Sequence, residues 1–279
     1  MSLTILHASD IQFGKPYRKA AGEAFVAFAH ELDADLIVVA GDLTQRAKAA
    51  EYAGVRELLG KLPDVPLVVT PGNHDVPLYR FWERAFAPYL NWTRAWGDDL
   101  DTVTRVGGAT VVALNSSAPR RAIVAGRVDG HQVDFARRCF AEAPEADARL
   151  LVIHHHFVPT PDHEGGRVLN GGARLLAAFE EMGVDLILGG HVHQTHMTTS
   201  RRLVPGVGAG IPLVACGTTA SRRGWGPEAG ENTLNAVYIT DGEISVATHQ
   251  FEADAHVFLP LKTTTFPRPG VVESTGGGR

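Results

Sequence analysis

Several short stretches of this chain are apolar at nearly every position, with no regular alternation of polar residues. Residues 36–40 read Leu-Ile-Val-Val-Ala, and residues 3–8, 67–70, 111–114, 150–153 and 186–188 are of the same kind. A strand with one wet face alternates apolar and polar side chains, so a run apolar on both faces must be covered on both. Patterns of helical period lie between the runs, over about 20–32, 47–62, 130–142 and 172–182. Strands sealed on both sides and separated by helices call for an α/β layer architecture.

Beyond about residue 203 the texture changes. Residues 213–215, 235–240 and 244–248 are strand-like, and Asp241-Gly242 between the last two is a strong hairpin signal. No low-complexity linker divides the α/β front from this strand-rich back. The expectation is one domain over residues 1–261, built of two packed mixed β-sheets with helices outside. Residues 262–279 lack periodicity and end in Ser-Thr-Gly-Gly-Gly-Arg, which reads as a mobile tail or one draped over the surface.

A chain of 279 residues can bury a substantial core without disulfides or a structural metal. The net charge of −5 supplies no global basic field, so specific nucleic-acid binding is not expected. The two cysteines, Cys139 and Cys216, are far apart in apolar surroundings and read as buried free thiols of a reducing compartment. The N-terminus has no basic segment ahead of an apolar one, and no run of about 18 apolar residues exists to span a membrane. These features give the expectation of a soluble cytoplasmic protein; a homo-oligomer is compatible with them.

The residues at the end of each apolar run carry the chemistry. Residues 3–8 lead into Asp10 and Gln12, 36–40 into Gly41-Asp42, and 67–70 into Gly72-Asn73-His74-Asp75. Residues 150–153 lead into His154-His155-His156, and 186–188 into Gly189-Gly190-His191-Val192-His193. Ligands of α/β sheets bind at the carboxyl ends of strands, and glycines there let the backbone turn sharply and approach closely. Singly, each motif has a plain structural reading: an aspartate after a strand caps a turn, and a histidine run is surface polarity. Recurrence at successive strand ends argues for a shared site. His191 and His193, two apart in extended chain, face the same side, as a metal would require.

In this order, the Asp10/Gln12 pair, Gly41-Asp42, Gly-Asn-His-Asp at 72–75, His154-His155 and Gly-His-x-His at 190–193 resemble the motifs of the calcineurin-like metallophosphoesterases. The resemblance runs from about residue 3 to about residue 251. Residues 41–46, the histidine-rich stretch after His154, and residues 217–223 (Gly-Thr-Thr-Ala-Ser-Arg-Arg) are similar to its bacterial phosphodiesterase-like branch, which acts on cyclic nucleotides and glycerophosphodiesters.

The resemblance implies a four-layer αββα sandwich with a dinuclear metal centre. Asp42 would bridge two divalent ions, with Asp10, Gln12 and His193 completing one site and Asn73, His154 and His191 the other. Strand register selects His154 over His155, because His154 directly follows Ile153. Carboxylates and imidazoles without a thiolate suit Mn, Fe, Zn or Co, with Mn favoured. A hydroxide bridging the ions would attack phosphorus, and His74 would supply a proton or positive charge to the leaving alkoxide. Asp75 would orient that imidazole or cap the turn. His156 and Arg46 are candidates for substrate contact, Arg46 reading more readily as a surface or structural arginine. Residues 154–170, with His163 and Gly165-Gly166, would shape a leaving-group pocket.

One position departs from the family pattern: Gln12 stands where the motif has histidine. An amide oxygen is a harder and weaker donor than imidazole, which tilts that site toward Mn or Mg and lowers its affinity. The expected function is metal-dependent hydrolysis of a small phosphodiester. The alternatives are a phosphomonoesterase, a nucleotide-lipid pyrophosphatase, and a metal-free binding scaffold of the same fold.

Overall fold

Alternate residues of the apolar runs go to different cores, which is why the runs lack a polar face. A computed structural model describes residues 2–121, 123–160 and 167–269. Its elements in chain order begin β1 (Ser2–Ala8), α1 (Lys19–Leu32), β2 (Leu36–Val39), α2 (Ala49–Leu59), β3 (Leu67–Val69), α3 (Phe81–Phe86) and α4 (Leu90–Trp96). Next come β4 (Thr102–Val106), β5 (Ala109–Leu114), α5 (Gly130–Ala141), β6 (Ala148–Ile153), α6 (Gly172–Glu181), β7 (Leu186–Gly189) and β8 (His196–Thr199). The chain closes with β9 (Pro212–Ala215), β10 (Thr233–Thr240), β11 (Glu243–Glu252) and β12 (Val257–Pro267).

Two six-stranded sheets result, ordered β12-β11-β10-β1-β2-β3 and β4-β5-β6-β7-β9-β8. Both are mixed: β1, β2 and β3 run parallel in the first, and β5, β6, β7 and β9 in the second, with antiparallel strands outside them. Leu3, Ile5, Leu36, Val38 and Val68 of the first sheet meet Val111, Leu150, Val152, Leu186 and Leu188 of the second in a shared core. The intervening residues Leu6, Ala8, Ile37 and Val39 face outward and pack under α1, α2 and α4. Val112, Leu114, Leu151, Ile153 and Ile187 do the same under α5 and α6. The order of layers is helices, sheet, sheet, helices, as the α/β reading expected.

The helices form where the sequence offers an apolar stripe. In α1, Ala21, Ala24, Phe25 and Ala29 recur at helical spacing and are buried. Phe25, Phe140 and Phe179 are all but inaccessible, and each such burial stabilises by roughly 1.5–3 kcal/mol. The Asp241-Gly242 turn joins β10 to β11 in the expected hairpin. Cys139 and Cys216 are buried and free. No helix of the described residues is long and apolar enough to cross a membrane.

The expected tail from Lys262 is corrected in its first part. Residues 262–267 complete β12, pairing with β11 from Thr248↔Lys262 to Glu243↔Pro267. Beyond them Arg268 donates to Asp185 at 3.1 and 3.2 Å, tying this end to the other sheet. β12 is an edge strand, exposed along most of its length, so no apolar alternation marks it in the sequence. Its signal was the β-branched run Thr263-Thr264-Thr265. Residues 270–279 lie outside the described residues, as do His163, Gly165 and Gly166 of the expected leaving-group pocket.

Candidate metal centre

The carboxyl ends of β1, β2 and β3 in one sheet and of β6 and β7 in the other deliver their polar residues to one place. Donor atoms of Asp10, Asp42 and His193 all lie within 4.8 Å of one another. Asp10 Oδ1 is 3.2 Å from His193 Nε2. On the far side of Asp42, its Oδ1 is 3.5 Å from His154 Nε2. Asn73 Oδ1 is 3.3 Å from that same nitrogen and 2.8 Å from His191 Nδ1. Asp42 therefore stands between two adjacent groups of donors.

The backbone is strained to achieve this. Asp10, Gln12, Asp42, His191 and His193 all have left-handed φ, between 48° and 76°. Such conformations cost non-glycine residues free energy and persist where surrounding structure over-determines them. Close approach is equally demanding. A Cβ on Gly41 would lie 2.5 Å from His154 Nδ1, and one on Gly190 would lie 1.8 Å from Ser9 Oγ.

Hydrogen bonds set the imidazoles. His154 Nδ1–H donates to the Ala40 carbonyl at 2.7 Å, which leaves Nε2 facing Asn73 and Asp42. Burial lowers the pKa of His154, but the Asp42 carboxylate overrides this and raises it to about 9. His191 is pushed well below the usual histidine range by burial and by the neighbouring imidazoles, and is a neutral donor. Burial opposes ionisation of Asp42 too, yet His154 and His74 hold its carboxyl well below the ordinary range.

The donors themselves fit divalent ions. Asp10 Oδ1 is buried and accepts no hydrogen bond, whereas Oδ2 accepts from Ser9 Oγ and from the His191 N–H. An unpaired buried carboxylate oxygen is costly unless a cation completes it. All donors are oxygen or imidazole nitrogen, as borderline divalent metals require.

Other expected residues sit differently. His155 Nδ1 is 2.7 Å from Ser116 Oγ, and its ring centroid is 4.5 Å from that of His191. His156 stacks on His191, ring centroids 5.4 Å apart. It lines an open cavity of about 200 Å³ with Val124, Thr160, Arg167, His193 and Trp225. Gln12 reaches the site, but its Oε1 accepts from Ser221 Oγ at 2.8 Å while Nε2 faces His193 and Asp42. The amide oxygen expected as a metal donor is thus turned outward; a half-turn of the amide exchanges the two ends.

Asp75 does not meet the His74 imidazole. Its two oxygens accept from the N–H groups of Leu43, Thr44 and Gly72 and from Thr44 Oγ1, clamping residues 43–44 to the 72–75 turn. Of its two expected roles, the geometry is that of the cap. His74 itself donates from Nδ1 to the Gln45 carbonyl at 3.0 Å, and its Nε2 lies 4.0 Å from Asp42 Oδ2. Burial holds its pKa below the ordinary value. Arg46 stands behind the imidazole, 3.3 Å from Nδ1, and lies over the Tyr79 ring. Two residues were not singled out from sequence. Ser221 holds Gln12, and Arg223 Nη1 donates to His74 Nε2 at 2.8 Å. Both fall within residues 217–223, which the sequence marks only as a family-like stretch.

The calcineurin-like phosphoesterase profile matches residues 3–195. The chain belongs to that family. A probable cyclic nucleotide phosphodiesterase of Synechococcus is 26% identical over 162 residues, covering 57% of this chain and 58% of that protein. The 3',5'-cyclic adenosine monophosphate phosphodiesterase CpdA of Escherichia coli K12 is 29% identical over 170 residues, covering 59% and 56%. The chain thus spans little more than half the length of the curated relatives it matches. The purple acid phosphatase PPD1 of yellow lupin shares the fold at a TM-score of 0.70 and 12% identity, over 96% of this chain and 54% of that one.

Proposed function

We propose that this calcineurin-like phosphoesterase is a dinuclear metal-dependent phosphodiesterase. The observation that carries the reading is the position of Asp42 between the Asp10/His193 and Asn73/His154/His191 groups. Those residues would hold two divalent ions, with Gln12 joining the Asp10 side once its amide turns. Bound there, the ions supply an activated water and positive charge for the phosphate oxygens.

The chain's own side chains do the rest. His74 is positioned by the Gln45 carbonyl with Nε2 toward the carboxylates, beside the place of the leaving oxygen. Once protonated in the field of the incoming anionic ester, it delivers the Nε2 proton to that oxygen. The Asp75 clamp keeps Asn73 and His74 in register with Asp42, whose Oδ1 accepts the His74 N–H at 2.7 Å. The cavity beside His191 and His193 leaves room for the second ester substituent, with His156 on its wall. The names of the relatives point to cyclic nucleotides as the first substrates to try.

Turnover of bis-para-nitrophenyl phosphate by Mn-loaded protein should exceed that of para-nitrophenyl phosphate. Faster hydrolysis of the monoester would replace this reading with a phosphomonoesterase.

A further inference from the structure

Residues 217–223 leave β9 and are sewn onto the segment after β1. The Thr219 N–H donates to Ser9 O at 2.9 Å, Arg18 N–H to Ala220 O at 2.7 Å, and Arg222 N–H to Pro16 O at 2.9 Å. Asn232 Nδ2 donates to Ser221 O at 2.7 Å from the opposite side. The backbone that launches Arg223 is therefore fixed relative to Asp10 and Gln12. The Arg223 N–H also donates to Ser221 Oγ, the same hydroxyl that donates to Gln12.

From this anchorage an otherwise exposed side chain reaches inward, and Nη1 meets His74 Nε2 at 2.8 Å. Because His74 Nδ1–H donates to Gln45 O, Nε2 is the acceptor in that contact. No carboxylate among the described residues forms an ion pair with Arg223. A guanidinium carries a full charge and a planar fork of donors suited to phosphate oxygens. Here it spends one donor on a neutral imidazole at the rim of the site and keeps the others free of any counter-charge. The chain as a whole carries −5, and a fixed cation at the rim adds to the positive charge that two bound ions would offer an anionic ester.

We infer that Arg223 is a substrate-binding catalytic residue whose guanidinium takes the peripheral oxygens of the phosphoryl group, beside the leaving-group position held by His74. The inference rests on the phosphoesterase reading and adds to it a phosphate contact outside the metal ligands. Donors aimed at developing charge on phosphoryl oxygens stabilise the transition state without moving a proton. Loss of Arg223 should therefore be felt equally by esters with good and poor leaving groups.

The test uses the Mn-loaded full chain as wild type, Arg223→Gln and Arg223→Lys. Binding of inorganic phosphate is measured by calorimetry, kcat and KM with an aryl and an alkyl diester, and metal content by mass spectrometry. Arg223→Gln should weaken phosphate binding by roughly 10- to 100-fold, the range for one charge-assisted hydrogen bond. It should lower kcat/KM by about 10²-fold for both diesters, with metal content unchanged. Arg223→Lys should recover part of both losses. Unchanged phosphate affinity overturns the inference, as does a kcat/KM loss confined to the alkyl diester, which would make Arg223 a positioning residue for His74. A fall in metal content that accounts for the loss overturns it as well. A wild type that binds phosphate through Arg223 but cleaves no diester would contradict the proposed function and leave the phosphate contact standing.

Discussion

The Asn73/His154/His191 side of the site and the Asp10/Gln12/His193 side share Asp42 but are held by different means. On the first side the protein finishes the arrangement itself. The Ala40 carbonyl fixes the tautomer of His154, Asn73 Oδ1 lies between both imidazoles, and His154 is fully buried. On the second side Asp10 Oδ1 has no donor, Gln12 gives its oxygen to Ser221, and the His193 side chain is 13% exposed. Left-handed backbone places residues of both sides, Asp10, Gln12 and His193 on this one and His191 on the other, so strain does not distinguish them. Donors already oriented by outer partners bind a metal more tightly than donors that must reorient. The two sides should therefore differ in affinity, with the His154 side filling first.

Asp42→Asn should produce the largest effect, because Asp42 belongs to both sides. The variant should lose metal from both, and turnover should fall by more than the roughly 10- to 100-fold that loss of an outer partner costs. Retention of a tenth of wild-type turnover in saturating Mn would show that the residue does not join them. His74→Ala should come next, reducing turnover by roughly 10²–10⁴-fold. His74 lies outside both donor groups, so metal content should be nearly intact and the loss smaller for an aryl leaving group. An equal loss for aryl and alkyl diesters would move His74 from proton donor to phosphate binder.

How much of the fold and the site was legible in sequence depended on burial. β1, β2, β3, β5, β6 and β7 lie between layers, and their sealed faces left continuous apolar runs. β4 and β8 are sheet edges of intermediate exposure throughout most of their length, and β12 is exposed, so none left such a run. α3 buries no residue and α4 only Trp92, too little for a helical stripe. Within the site, the residue types and their places at strand ends were readable. Asp75 was readable as either a cap or an imidazole partner, and only its contacts with Leu43, Thr44 and Gly72 decide. The turn of Gln12 depends on Ser221, 209 residues away, and the contact between His74 and Arg223 spans 149. Neither leaves a local pattern.

The proposed inequality of the two sides is tested most directly by adding Mn stepwise to metal-stripped protein and measuring bound metal and diester turnover together, for wild type and Gln12→His. Wild type should bind one equivalent tightly with little turnover, then gain activity as a second, weaker equivalent fills. Imidazole is the stronger donor to a borderline metal, so Gln12→His should move only that second step to lower free Mn. Full turnover at one equivalent, two indistinguishable steps, or a shift of the first step in Gln12→His would contradict this order of filling.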